Sequence, residues 1–492
     1  MKKVISTLML FVLVVSCFSV QARDISEKEA KSAAAYYMSV YSSIPDVKAD
    51  DLVLIHQIVN PDLDVPACFF FNVSDWGWII MAGSSAVDPV VAFSDRCGNM
   101  DMNNVPDNMM AWVNDYSGMI MAIQNADRKN QFPDVEEWQN LLKQKSVDTP
   151  KGGEHYLMDE AWDQGQPNGH LYNSMCPQIN GYYCYVGCVA TALSQIIHYY
   201  KYPVQPFGYH RYDWNGTVLR FDYDNTQFNY SLMPNRLTEN SSAAKKAEVA
   251  KLCYAVGVAM DMSYGIDGSG AYSANVPNNM ATYFKYNVCT QVYRENQGRD
   301  TAFCGKIRRE LMLNRPVYMS GASSTNNEGS DASGHAWICC GYRDDQPNMY
   351  WINWGWGGTD DGWYNLVTND QTSMYLSNTH YTFNLRQSCM IGFIPPHADS
   401  SAVDFMPHTE GIAPVSTAQL KPAYPNPASY SVSLPYSTTT TDVLTVYSVD
   451  GRPVISQNVQ AGDGVVTINI DKMPAGIYIY RLGGASGKFI VQ

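Results

Sequence analysis

The sequence predicts an α+β protein made of several folded units in series, and three patterns predict it. Apolar residues recur at helical spacing in Glu27–Tyr41, and again at positions 189, 192, 193, 196, 197 and 200. Around both stretches lie segments that alternate apolar and polar with period two, the mark of half-buried strands. From about residue 421 to the end only the alternating pattern remains, as expected of a small β-sandwich. At about 150 residues per domain, a length of 492 agrees with roughly three units.

Composition narrows the function. Apolar residues make up 46% and charged residues 16%, enough to build sizeable cores. Lys plus Arg number 33 against 47 Asp plus Glu, a net charge of −14 with no basic run. Nucleic acid is therefore not an expected partner, because neutralising phosphates needs clustered cations. The 12 cysteines contain no C-x-x-C pair and no zinc-type Cys/His spacing, so neither a metal nor an organic cofactor is expected.

The elements follow in order. Met1-Lys2-Lys3, the apolar run Val4–Val20, and Val20-Gln21-Ala22 before charged Arg23-Asp24 read as a signal peptide over residues 1–22. Val14-Val15-Ser16-Cys17 offers a second cleavage box, one that would make Cys17 a lipidated first residue. Beyond the leader no apolar stretch reaches the ~18 residues a bilayer requires, so no transmembrane segment is expected. Losing Cys17 with the leader leaves an odd number of cysteines, hence at least one free thiol. Residues 23–148 combine the helix Glu27–Tyr41 with strands at Cys68–Val73 and Trp78–Gly83, a small α+β domain. Lys143–Gly153 (KQKSVDTPKGG) reads as an exposed linker. Residues 149–395, rich in Tyr, Asn, Trp and Gly, form the main unit, and residues 396–420 a second linker. Residues 421–492 carry strands at Val443–Tyr447, Val465–Ile470 and Gly476–Arg481.

Chemistry concentrates in the main unit. Gly187 lets the chain turn sharply into the helix that Pro203 stops, which leaves Cys188 in the first turn. Unpaired N–H groups and the positive end of the helix dipole favour a thiolate there and predict a lowered pKa. A thiolate nucleophile needs an imidazole. His335, opening an apolar strand behind Gly334, is the best placed of the nine histidines, whereas His198 lies about three turns along the helix from Cys188. Asn353 ends a strand and can accept from the second N–H of that imidazole, under the cover of Trp354. The Gln164 side chain in Trp162–Asn168 can pair with the Cys188 backbone N–H as an oxyanion donor. Taken singly, each has a plainer reading: a buried thiol, a core histidine, a Trp-Gly packing corner.

In combination the pieces are more specific. The order Gln, helix-start Cys, Gly-His-Ala, Asn-Trp-Gly is carried by WDQGQPN, GCVATALSQIIHYYKYP, SGHAWICCGY and YWINWGWGGTDDGWYNL. These stretches resemble the streptopain family of papain-like bacterial cysteine peptidases. The resemblance implies a papain-like α+β catalytic domain in which Cys188 is the nucleophile, His335 the proton acceptor, Asn353 the orienting residue, Gln164 the oxyanion donor and Trp354 the shield. It also implies substrate contacts at Gly334 and, in the loop Tyr264–Ala271, at Ser269 and Gly270. That loop is serine-rich in the family and keeps a single serine here.

The flanks extend the likeness. FFFNVSDWGWIIMAGSSAVDPVVAFS resembles the family's inhibitory pro-domain, removed by proteolysis. Tyr424–Ala428, Val446–Arg452 and Ala475–Tyr478 resemble type IX secretion sorting domains. Together these imply a secreted or surface-exposed cysteine endopeptidase made as a zymogen, acting on protein and peptide substrates. Its partners would be its own pro-domain and the type IX machinery. Two alternatives are acyl transfer to an amine, where the usual third residue is Asp rather than Asn, and a catalytically silent surface or binding protein. A silent copy has no chemical reason to keep all four reactive positions.

Overall fold

The structure is a computed structural model that describes residues 22–74, 76–126, 135–145, 153–166, 169, 171–294, 300–322, 334–367, 387–396, 419–439, 441–448, 453–482 and 485–492. Cys17, the rest of the expected leader but for Ala22, and most of both linkers lie outside the described residues.

The N-terminal unit opens with α1 (Glu27–Tyr41), at the span its periodicity predicts. Ser26 and Glu29 close a reciprocal capping box at its start, satisfying N–H groups that have no partner within the helix. Strands β1 (Leu52–Asn60), β2 (Val65–Val73), β3 (Gly77–Ala82) and β4 (Val90–Ser94) form an antiparallel meander. Every residue of β3 and β4 is buried, as are residues 67–71 of β2, which is why FFF and WII run apolar rather than alternating. Helices α2 (Asp107–Gln124) and α3 (Glu136–Leu142) complete the unit.

The central unit contains β5 (Glu154–Tyr156), a short hairpin of β6 (Gln178–Ile179) and β7 (Tyr182–Tyr183), and α4 (Cys188–Tyr200). A second hairpin of β8 (Tyr209–Trp214) and β9 (Thr217–Asp222) precedes α5 (Ala243–Ala259) and α6 (Val276–Phe284). Then come β10 (Thr290–Tyr293), α7 (Asp300–Met312), β11 (Val317–Ala322), β12 (Gly334–Arg343), β13 (Met349–Asn353), β14 (Gly362–Asn365) and β15 (Ser388–Ile391). Helix α4 packs on β12 and α5, and is buried nearly all round.

One relationship goes beyond what the sequence predicts. β4 pairs with β14 through Phe93 opposite Trp363 and Ala92 opposite Tyr364. The two units therefore share one 11-stranded sheet, ordered β1-β2-β3-β4-β14-β13-β12-β11-β15-β10 with β5 on β12. The edge strand of each unit is covered by the other.

The C-terminal unit is the expected sandwich. β16 (Gln419–Leu420), β17 (Ser431–Thr438) and β20 (Gly462–Asn469) form one sheet. β18 (Asp442–Ser448), β19 (Pro453–Val459), β21 (Gly476–Leu482) and β22 (Ala485–Val491) form the other. Inward residues such as Val432, Leu444, Val446, Tyr480 and Phe489 fill it. Tyr447 packs into the main core instead, and the Arg481 guanidinium lies 5.8 Å from the Tyr342 ring centroid. Among the described residues no helix is long and apolar enough to cross a membrane.

Candidate active site

The site begins at a glycine. Gly187 sits at φ 89°, and a Cβ there would lie 2.8 Å from the Met262 sulfur and 3.0 Å from the Ser269 carbonyl oxygen. Both the turn and the space disfavour a side chain. Cys188 follows as the first residue of α4, 9% exposed. Its sulfur faces the backbone N–H groups of Cys188, Val189 and Ala336. The last of these brings the start of β12, where His335 immediately precedes Ala336, up to the Cys188 sulfur.

Electrostatics depart from the sequence reading. Burial pushes the Cys188 thiol above its ordinary range, and the three N–H groups that favour the thiolate offset only part of that. The expected lowering by the helix start does not prevail, because desolvating a charge outweighs a few backbone dipoles. Burial likewise lowers the His335 imidazole, while the Asp107 carboxylate opposes the shift. In this state the neutral thiol and neutral imidazole are the favoured forms.

Asp107 and Asn108 start α2, so the N-terminal unit reaches the site directly. Asn108, fully enclosed, donates through Nδ2 to the Trp354 carbonyl at 2.9 Å. Its Oδ1 accepts from Trp356 Nε1 at 3.1 Å. One carboxamide thus clamps both tryptophans of the Asn-Trp-Gly-Trp turn.

The remaining expected residues fall as follows. Trp354 is buried and its ring lies 5.5 Å from that of Trp337, two residues beyond His335 on the same strand. The Trp354 N–H donates to Asp361 Oδ1 at 2.9 Å. The Gln164 carbonyl accepts from Val186 N at 2.8 Å, which ties Gln164 to the turn before Cys188. Ser269 Oγ donates to the Tyr185 carbonyl at 2.7 Å and accepts from Gly265 N at 3.0 Å, while Gly270 bridges Ser263. These two residues line the turn into α4, and Gly334 is exposed at the start of β12.

Asn353 is seated differently from the expectation. Its Oδ1 accepts from Gly355 N at 2.9 Å and Gln195 Nε2 at 3.4 Å. Its Nδ2 donates to the Glu160 carbonyl at 2.6 Å and to Gln195 Oε1 at 3.1 Å. None of these bonds reaches His335. The register explains why: Asn353 stands opposite Ile338, three residues further along β12 than His335.

Sequence reasoning missed Asp107, Asn108 and Gln195. Nothing local marks the first two, whose partners are more than 200 residues away. Gln195 did leave a signal, a fully buried amide seven residues after Cys188 on the same helical stripe. His198 is accounted for as a buried partner of Glu160 (2.7 Å) and of the Met233 carbonyl (2.9 Å). All 11 cysteines among the described residues are free thiols. No group of His, Cys, Asp and Glu among those residues has the geometry to hold a metal.

Residues 162–364 match the Peptidase C10 family model, residues 22–120 the Spi protease inhibitor model, and residues 422–492 the secretion system C-terminal sorting domain. The chain is 27% identical over 342 residues to the thiol protease/hemagglutinin PrtT of Porphyromonas gingivalis, spanning 68% of itself and 38% of that protein. It is 25% identical over 405 residues to streptopain of Streptococcus pyogenes, spanning 78% of itself and 96% of that protein. A solved fragment of Prevotella intermedia prointerpain A shares the fold, with a TM-score of 0.53 at 24% identity over 70% of this chain and 98% of the fragment. Residues 162–364 thus match the Peptidase C10, or streptopain, family of cysteine peptidases, in a chain whose inhibitor-type unit shares one sheet with that segment.

Proposed function

We propose that the chain is a secreted cysteine endopeptidase made as a zymogen. Cys188 attacks a peptide carbonyl to give a thioester. His335 takes the thiol proton, delivers it to the leaving amine, and then activates water for deacylation. The Gln164 side chain and the Cys188 N–H receive the oxyanion, and Trp354 keeps water from the pair. Asn353 anchors the 353–356 turn. Gly334, Ser269 and Gly270 line the approach of an extended peptide. The observation that carries this reading is the Cys188 sulfur at a helix start, within reach of the Ala336 N–H, one residue along β12 from His335.

Residues 23–148 are the inhibitory segment and 149–395 the catalytic one, separated by cleavage within 143–153. The Asn108 clamp and the shared sheet support inhibition by direct occupation of the site. Residues 421–492 direct export through a type IX pathway to the cell surface or medium.

The test is hydrolysis of an unstructured peptide by the processed chain, beside Cys188→Ala and an iodoacetamide-treated sample. Loss of activity with either change is expected. Activity that survives Cys188→Ala would overturn the assignment of the nucleophile. A folded, reduced wild-type chain that hydrolyses nothing would point to the silent binding protein.

A further inference from the structure

Gln195 joins three parts of the site. It lies fully buried on α4, the helix that carries Cys188. Its Oε1 accepts from the backbone N–H of Trp162 at 3.0 Å and from Asn353 Nδ2 at 3.1 Å. Its Nε2 donates to Asn353 Oδ1 at 3.4 Å. Trp162 is two residues before Gln164, and Asn353 immediately precedes Trp354. One carboxamide therefore fixes the nucleophile's helix, the segment that delivers the oxyanion donor, and the turn that carries the shield.

We infer that Gln195 is a positioning residue for acyl transfer, which sets the distance of Gln164 and Trp354 from Cys188. The inference rests on the peptidase reading. Both Asn353 amide atoms meet the complementary atom of Gln195, so the pair behaves as two facing carboxamides whose orientation is fixed by donor and acceptor matching. An apolar residue in place of Gln195 leaves the Trp162 N–H without its partner and the Asn353 amide half-satisfied in a dry interior. The 160–164 segment and the 353–356 turn then lose their common reference. Cys188 and His335 do not touch Gln195, so their mutual reactivity is left intact. Oxyanion stabilisation is the step that suffers, because it depends on a donor placed within a fraction of an ångström.

Gln195→Glu separates positioning from packing. Its carboxylate has the same shape and still accepts from Trp162 N and Asn353 Nδ2, but it faces Asn353 Oδ1 with a second acceptor. Protonating it restores a donor to that oxygen, and burial raises the pH at which this happens.

The experiment uses full-length wild type, Gln195→Leu, Gln195→Glu and Cys188→Ala, each cleaved by the same added protease in the 143–153 linker, which is then inhibited. Peptide turnover is measured from pH 5 to pH 8, together with the rate of Cys188 alkylation by iodoacetamide. For Gln195→Leu we expect kcat to fall about 10-fold to 100-fold with KM and alkylation nearly unchanged. For Gln195→Glu we expect the ratio of its kcat to that of wild type to rise steadily as the pH falls. A flat ratio, or kcat near wild type in both variants, would overturn the inference. If Gln195→Leu does not fold, the Gln195→Glu pH profile decides alone. Activity retained by Cys188→Ala would instead remove the peptidase reading, whatever Gln195 does.

Discussion

Asn108 donates to the Trp354 carbonyl at 2.9 Å, across the seam between the inhibitory and catalytic units. The same amide accepts from Trp356 Nε1, so removing it strands a donor and an acceptor in a buried site. Asn108→Leu is therefore expected to weaken docking of the inhibitory unit by about 1–3 kcal/mol. The uncleaved variant, followed by hydrolysis of a small peptide, should show basal activity well above the wild-type precursor and convert faster. Conversion at the wild-type rate would mean that the clamp does not hold the precursor shut.

The seam also carries a pH dependence. Burial pushes Asp361 up to about 8, and burial together with the Asp101 charge pushes Asp360 up to about 7. On its far side burial and the Asp88 charge push Glu137 up to about 7. Asp361 lies against the inhibitory unit, its carbonyl accepting from the Cys97 thiol at 3.0 Å, and Asp88 bridges Asn348 and Asn365. Carboxyls whose folded pKa is raised stabilise the fold fully below their ordinary range near pH 4 and lose that contribution as pH rises through 7 to 8. The melting temperature of a Cys188→Ala precursor should therefore fall across pH 6 to 8.5, and Asp360→Asn should flatten the fall. An unchanged slope in Asp360→Asn would rule this carboxyl out as the source.

The precursor's thiol should be sluggish. With the thiol raised and the imidazole lowered by burial, the thiolate form is scarce at neutral pH, and the thiolate is the species that reacts. Iodoacetamide should label Cys188 at pH 7 at least about 10-fold more slowly in the uncleaved chain than in the processed one, and the precursor rate should climb towards alkaline pH. Peptide mapping by mass spectrometry, with Cys188→Ala as the blank, reads this directly. Equal rates would show that cleavage does not alter the pair.

How much of this was legible in the sequence depends on the range of the signal. Helix α4 was legible from its apolar stripe and from Pro203, and Cys188 at its start followed from Gly187, because all of these are local. The strands of the C-terminal sandwich were legible from alternation alone. The β4–β14 pairing was not, since the register that sets Phe93 opposite Trp363 is made by backbone bonds that leave no pattern in either segment. Asn353 shows the intermediate case. Its residue type suited an imidazole acceptor, but register, set by the β12–β13 ladder, gave its amide to Gln195. The raised thiol of Cys188 was hidden for a related reason: a helix start is visible in sequence, whereas the burial that outweighs it comes from packing across the whole fold.

Gly187 offers the sharpest local test of the site's architecture. A side chain there meets two costs, the left-handed backbone at φ 89° and the contacts at 2.8 Å and 3.0 Å with Met262 and Ser269. Gly216 shares the first cost, with φ 79°, but has open space where its Cβ would be. Gly216→Ala should therefore lose only the backbone term, about 1 kcal/mol, and keep full activity once processed. Gly187→Ala should lose about 1–3 kcal/mol more, because the Ser269 carbonyl is backbone and the Met262 side chain is enclosed. Relieving that clash moves the first residue of α4, so kcat should drop about 10-fold or more even in the fraction that folds. Thermal melts and turnover on both variants decide it: equal losses in the two would show that the space at Gly187 is not what sets the position of Cys188.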